Sequence, residues 1–141
     1  MDFTTSQSRR PITVFHLDDS PEQLELAKIC LEKLDPSMKV TSLKSSSVLL
    51  RELSTRPCDC IIASHRIDGT TIGIMAPKIR RITEAPIILY TGHEKDEVKE
   101  VMASNSIEYF VEKQGDLDHY EVLLSTIRLA VERFREAKAT P

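Results

Sequence analysis

The sequence has no surplus of positive charge. Its formal net charge is −3, with 22 acidic against 19 basic side chains. Electrostatic binding to nucleic acid needs a basic face, so nucleic acid is not an expected partner. Long apolar runs are missing too: none approaches the length of a membrane span, and no membrane partner is expected. The start, MDFTTSQSRRP, has two arginines and no apolar stretch behind them, so no secretory leader is expected. A disulfide framework is also lacking. The three cysteines, Cys30, Cys58 and Cys60, are odd in number and point to a reducing, cytoplasmic setting. Cys58 and Cys60 alternate along a predicted strand and are expected to share one face as packing thiols. A zinc site wants about four ligands. Internal repeats and low-complexity segments are absent from the sequence.

What is present is an alternation. The 141 residues fit one domain with one proper core. Residues 1–10 read as a loose, flexible N-terminal segment, 11–136 as the folded domain and 137–141 as a tail. Strands are predicted over ITVFHL (12–17), KVTSL (39–43), DCIIAS (59–64), APIILY (85–90) and IEYFVE (107–112). The third and fourth have unbroken apolar centres, which suit burial on both faces. Between them lie helical patterns. Ser20 caps the first, Pro21 opens it, and Leu24, Ala27, Cys30, Leu31 and Leu34 recur at helical spacing. The second helix is predicted over 45–56, before Pro57. The third is predicted over 72–83, although Pro77 fits only near a first turn. The fourth covers 94–104, and the last lies within 117–138 with Leu123, Ile127, Ala130 and Phe134 on one face. HRIDGTT (65–71) reads as a loop and KQGD (113–116) as a turn.

Five strand–helix units in this length predict an α/β, flavodoxin-like (βα)5 three-layer sandwich, with a five-stranded parallel sheet of order 2-1-3-4-5. In such sheets the site lies at the carboxyl ends of the strands, near the switch between the first and third. Those ends hold Asp18 and Asp19, then Ser64, His65 and Arg66, then Thr91, Gly92 and His93, and finally Lys113. Adjacent carboxylates repel and need a cation, either Mg²⁺ or a side chain such as Lys113 or Arg66. A hydroxyl at Thr91 and an ammonium at Lys113 suit an anionic oxygen cluster such as a phosphoryl group. Taken alone, the Asp pair also fits a solvated helix entry. Its coincidence with Thr-Gly and Lys at separate strand ends favours a site.

The motifs VFHLDDSP, PIILYTG and YFVEKQG, in this order and at this spacing, resemble the response-regulator receiver domains of two-component signalling. The resemblance covers roughly residues 11–136. It implies a phosphoryl group passed from a histidine kinase to an aspartate at the end of the third strand. It also implies Mg²⁺ held by Asp18, Asp19, that aspartate and the backbone carbonyl of Arg66, phosphoryl contacts from Thr91 and Lys113, and a switch aromatic at Phe110. In CDCIIASHRIDG the acceptor position falls on Ser64, and the usual proline falls on Asp68.

Serine lacks the attacking carboxylate, and with no adjacent base its hydroxyl is a weak nucleophile at neutral pH. It also removes one Mg²⁺ ligand, so Mg²⁺ is expected to bind weakly, with no other cofactor. The expectation is a single-domain, degenerate receiver, a pseudo-receiver that is not an enzyme, in which Lys113 or Arg66 pairs with the acidic residues. Asp68 lies too far along its loop to serve as acceptor, and Asp59 begins its strand. His16 is expected to be packed and hydrogen-bonded, and His119 exposed. His65 and His93 lie at the rim, where they read as plain rim residues or, with Asp19, as transition-metal ligands.

No output domain is seen after the last helix, so output is expected through another signalling protein, a histidine kinase or downstream target, with a homodimer also compatible. The contact face implied by the resemblance includes Lys95, Lys99, Phe110 and Arg128. Two rival readings remain. One is a working phosphotransfer switch using Ser64 or another acceptor. The other is a flavodoxin-like metal-dependent phosphatase, with Asp18 as nucleophile, or a cofactor binder. The acidic DDSPE loop repels the phosphate that a flavin binder must cradle.

Overall fold

The computed structural model describes residues 10–139. The chain runs β1 (Ile12–Leu17), α1 (Pro21–Leu34), β2 (Met38–Leu43), α2 (Ser46–Thr55), β3 (Cys60–Ala63), β4 (Arg66–Ile67), β5 (Thr70–Thr71), α3 (Ile72–Arg80), β6 (Ile87–Thr91), α4 (Lys95–Ser104), β7 (Tyr109–Glu112) and α5 (His119–Ala139). Five strands form one parallel sheet in the order β2-β1-β3-β6-β7, which is the predicted 2-1-3-4-5 arrangement. The expectation for the first nine residues lies outside the described ones. The expected tail is in part helix, since α5 continues to Ala139.

Alternation along each strand divides the core in two. Phe15, Leu17, Ile61, Ala63, Ile87 and Leu89 pack against α2, α3 and α4. Val14, Cys60, Ile62, Ile88 and Tyr90 pack against α1 and α5 on the opposite face. Helix starts follow side-chain chemistry. The Ser20 hydroxyl accepts from the Gln23 N–H and the Ser45 hydroxyl from the Val48 N–H, each at 3.3 Å. Glu94 and Glu97 form a reciprocal capping box at α4.

Three expectations need correction. Cys58 and Cys60 do not share a face. The chain bends at Asp59, strand pleating starts only at Cys60, and Cys58 packs into the opposite half of the core. Burial pushes both thiols up, Cys58 to about 12, so they are inert packing groups. Second, α3 ends at Arg80, and Pro77 sits well inside it. An interior proline costs about 3 kcal/mol. Burial of Ile72, Met75 and Ile79, at roughly 2 kcal/mol each, outweighs that cost. Third, part of the 65–71 loop is a small antiparallel hairpin, β4 with β5, turning at Asp68 (φ 53) and Gly69 (φ 81). Asp-Gly between β-branched residues is the usual signal for such a turn, since both positions need positive φ.

Candidate functional site

Strand pairing continues one residue past the strands at their carboxyl ends, and this brings the site together. Asp18 N–H donates to the Leu43 carbonyl at 3.1 Å, and Ser64 N–H to the Leu17 carbonyl at 3.2 Å. Lys113 N–H donates to the Thr91 carbonyl at 2.9 Å. Asp18, Ser64, Thr91 and Lys113 thus share one edge of the sheet, as the strand-end rule predicted. Ser64 lies just beyond β3, and Thr91 is the last residue of β6 rather than a loop residue.

Lys113 Nζ lies 2.6 Å from Asp18 Oδ2, with only 3% of the Asp18 side chain and 18% of the Lys113 side chain exposed. The other Asp18 oxygen, Oδ1, accepts from the Ser20 N–H at 2.9 Å. The ammonium also stands 5.4 Å from the centroid of the Tyr90 ring, where the π face adds attraction. Of the two side-chain cations expected to pair with the acidic residues, Lys113 pairs with Asp18. Arg66 is exposed at the start of β4, and no ion pair joins it to either aspartate among the described residues. Asp19 is exposed, and its Oδ2 accepts from the backbone N–H of Asp68 at 3.1 Å. The hairpin is therefore tied to the second carboxylate by one backbone hydrogen bond, and that carboxylate stays open to solvent.

The buried Thr91 hydroxyl is not free. It lies 3.0 Å from His93 Nδ1 and accepts from the His93 N–H at 3.4 Å. His65 and His93 meet edge to face, with ring centroids 5.2 Å apart. Among the described residues no three or more His, Cys, Asp or Glu side chains are grouped so as to hold a metal ion. No hydrogen bond joins the Ser64 hydroxyl to a base among the described residues. Phe110 is half-buried and packs on the α2–α4 side of the core.

Several residues lie elsewhere than expected. His119 is buried, not exposed. Its Nδ1–H donates to the Asp116 carbonyl at 2.6 Å, so Nε2 accepts from the Tyr90 hydroxyl, also at 2.6 Å. This fastens the loop that carries Lys113 to β6. His16 is packed but not hydrogen-bonded: neither ring nitrogen has a partner among the described residues. Burial lowers its pKa from 6.5 to about 4, with nearby Lys113 also lowering it and Asp18 opposing. Arg128 does not join Lys95, Lys99 and Phe110. Its guanidinium grips Asp35 Oδ2 at 2.9 Å and 3.2 Å, tying α5 to the end of α1. Asp59 sits at the other end of β3, accepting from the Thr13 N–H at 2.8 Å. No helix among the described residues is long and apolar enough to cross a membrane.

The model for the family described as "Response regulator receiver domain" matches residues 14–125. No curated protein sequence matches significantly. Among solved structures, the signal receiver domain of an HD domain-containing protein from Pseudomonas fluorescens Pf-5 is similar over 95% of this chain and 96% of its own. The TM-score is 0.79 and the identity 19%. The N-terminal domain of a response regulator/sensory box/GGDEF 3-domain protein from Carboxydothermus hydrogenoformans gives 0.75 at 22% identity, over 90% of this chain and 98% of its own. A CheY-like response regulator receiver domain from Methylobacillus flagellatus gives 0.70 at 18% identity, over 83% of this chain and 98% of its own. At these identities the likeness to solved structures concerns the fold.

Proposed function

The chain belongs to the response regulator receiver domain family, whose members work in two-component signal transduction, and from that premise we propose that this one signals by protein–protein contact without aspartyl phosphorylation. The observation that carries the proposal is Ser64. It occupies the carboxyl end of β3, held there by its bond to Leu17, between the strand ends that carry Asp18 and Thr91. At that place the family's chemistry needs an anionic oxygen to attack phosphohistidine. A serine hydroxyl with no base bonded to it is a poor substitute. The protein thus acts as a binding module, not a catalyst, and its setting is cytoplasmic.

The partner is another signalling protein, either a kinase or a downstream target. Exposed Lys95 and Lys99 on α4, set among the exposed acidic side chains Asp96, Glu97 and Glu100, and half-buried Phe110 on β7 are the positions offered for that contact. With phosphorylation lost, partner abundance and affinity set the output. The test is incubation with Mg²⁺ and a small acyl-phosphate donor, followed by intact-mass measurement. No mass change is expected. A stable gain of one phosphoryl group overturns the proposal in favour of a working switch.

A further inference from the structure

The receiver fold implies a Mg²⁺ ion on the acidic pair, and the residues present do not fit one. Mg²⁺ demands near-octahedral oxygen ligation and gives up its waters reluctantly. Asp18, the more buried carboxylate, already has an ammonium on Oδ2 at 2.6 Å and a backbone N–H on Oδ1 at 2.9 Å. A divalent cation on Oδ2 would meet Lys113 Nζ as a like charge within one ligand's reach. Asp19 is engaged by the hairpin through the Asp68 N–H at 3.1 Å. The third carboxylate position is Ser64, which is neutral.

Charge decides the matter. Asp18 and Asp19 bring two negative charges, and Lys113 removes one of them. A single residual negative charge faces a dication, with the Arg66 guanidinium on the adjacent hairpin. For Mg²⁺ to enter, Lys113 must leave a largely buried position where it has both a carboxylate and the Tyr90 ring. Separating such a pair strands a buried charge, which is costly.

We infer that the acidic pair of this chain is not a Mg²⁺ site and that Lys113, bound to Asp18, is its resident cation, a built-in monovalent substitute. The inference rests on the receiver reading, because that reading supplies the ion expected here. It adds to it that the pocket's state does not depend on metal, so the partner-facing surface is the same with and without Mg²⁺.

The experiment is thermal unfolding in MgCl₂ against NaCl at matched ionic strength, for the wild type, Lys113→Arg and Lys113→Met. The wild type and Lys113→Arg are expected to show no Mg²⁺-specific shift. Lys113→Met, with Asp18 left uncompensated, is expected to show a saturable rise of several degrees, because an ion that binds only the folded state stabilises it by mass action. A saturable rise in the wild type equal to that of Lys113→Met overturns the inference. So does a Lys113→Met variant that folds and ignores Mg²⁺. Should that variant fail to fold, Mn²⁺ added to the wild type serves instead, read by broadening of backbone amide signals. Unchanged signals at residues 18–20 support the inference, and selective broadening there at low millimolar Mn²⁺ overturns it. The acyl-phosphate test gives a separate answer. A wild type that binds Mg²⁺ but takes no phosphoryl group overturns the resident cation alone and leaves the functional reading standing.

Discussion

Lys113 and Asp18 lie 95 residues apart in the chain and 2.6 Å apart in space. Their pair closes the sheet's carboxyl edge between its first and last sheet-forming units. Removing one partner of a buried pair costs about 3–5 kcal/mol, mostly because the other charge is stranded. Lys113→Met is therefore expected to destabilise the fold by several kcal/mol in urea denaturation without Mg²⁺. Asp18→Asn in the same background is expected to recover part of the loss. Additive losses from the two changes would show that the charges do not interact.

His16 has the reverse energetics. Both ring nitrogens are buried without partners among the described residues, and each such group costs about 1–3 kcal/mol. His16→Leu is expected to stabilise the protein at neutral pH. It also removes a pH dependence whose sign is fixed. The folded pKa of about 4 lies below the ordinary 6.5, so the unfolded chain takes the proton first as pH falls. Stability is then full above pH 6.5 and falls as pH drops toward 4, by roughly 3 kcal/mol in total. Denaturation midpoints across that window should slope in the wild type and flatten in His16→Leu.

The strand order and the four site positions were legible because hydrophobic runs mark strands, and strand ends mark the site. The strand pattern places Ser64 at a strand end, and only the family resemblance makes that end the acceptor position. What escaped depends on local geometry or on long-range contact. The bend at Asp59 breaks the alternation that would have put Cys58 beside Cys60, and alternation holds only inside a pleated strand. His119 opens a helix of mixed polarity, and only the fold reveals the Tyr90 hydroxyl it meets across 29 residues. The hairpin was within reach. Asp68-Gly69 flanked by Ile67, Thr70 and Thr71 carries the turn signal, although the polar composition of 65–71 alone suits a loop.

That hairpin offers a clean comparison of two glycines. Gly69 has φ +81, and an added Cβ meets nothing within 4 Å. Gly92, on the next site loop, is equally open and has no positive φ in that range. Alanine at Gly69 therefore adds backbone strain alone, about 1–2 kcal/mol, and alanine at Gly92 adds none. Thermal unfolding of the two variants should separate them by that amount. Because the turn presents the Asp68 N–H to Asp19, the Gly69→Ala variant should also shift the Asp68 amide signal more than Gly92→Ala does.

Ser64→Asp restores the third carboxylate. Its backbone is already fixed by the Leu17 carbonyl, so the new side chain enters the pocket from an unchanged position. The residual charge doubles, which gives Mg²⁺ a reason to displace Lys113 and gives the phosphoryl group a nucleophile. The variant is expected to gain one phosphoryl mass from an acyl-phosphate donor with Mg²⁺ and to lose that gain with a chelator. Ser64→Asn should stay unmodified under both conditions. One obstacle remains in the pocket, the 3.0 Å contact between the Thr91 hydroxyl and His93 Nδ1. If Ser64→Asp binds Mg²⁺ but stays unmodified, the hydroxyl is the group out of place. Adding His93→Ala, which frees it, is then expected to restore acceptance.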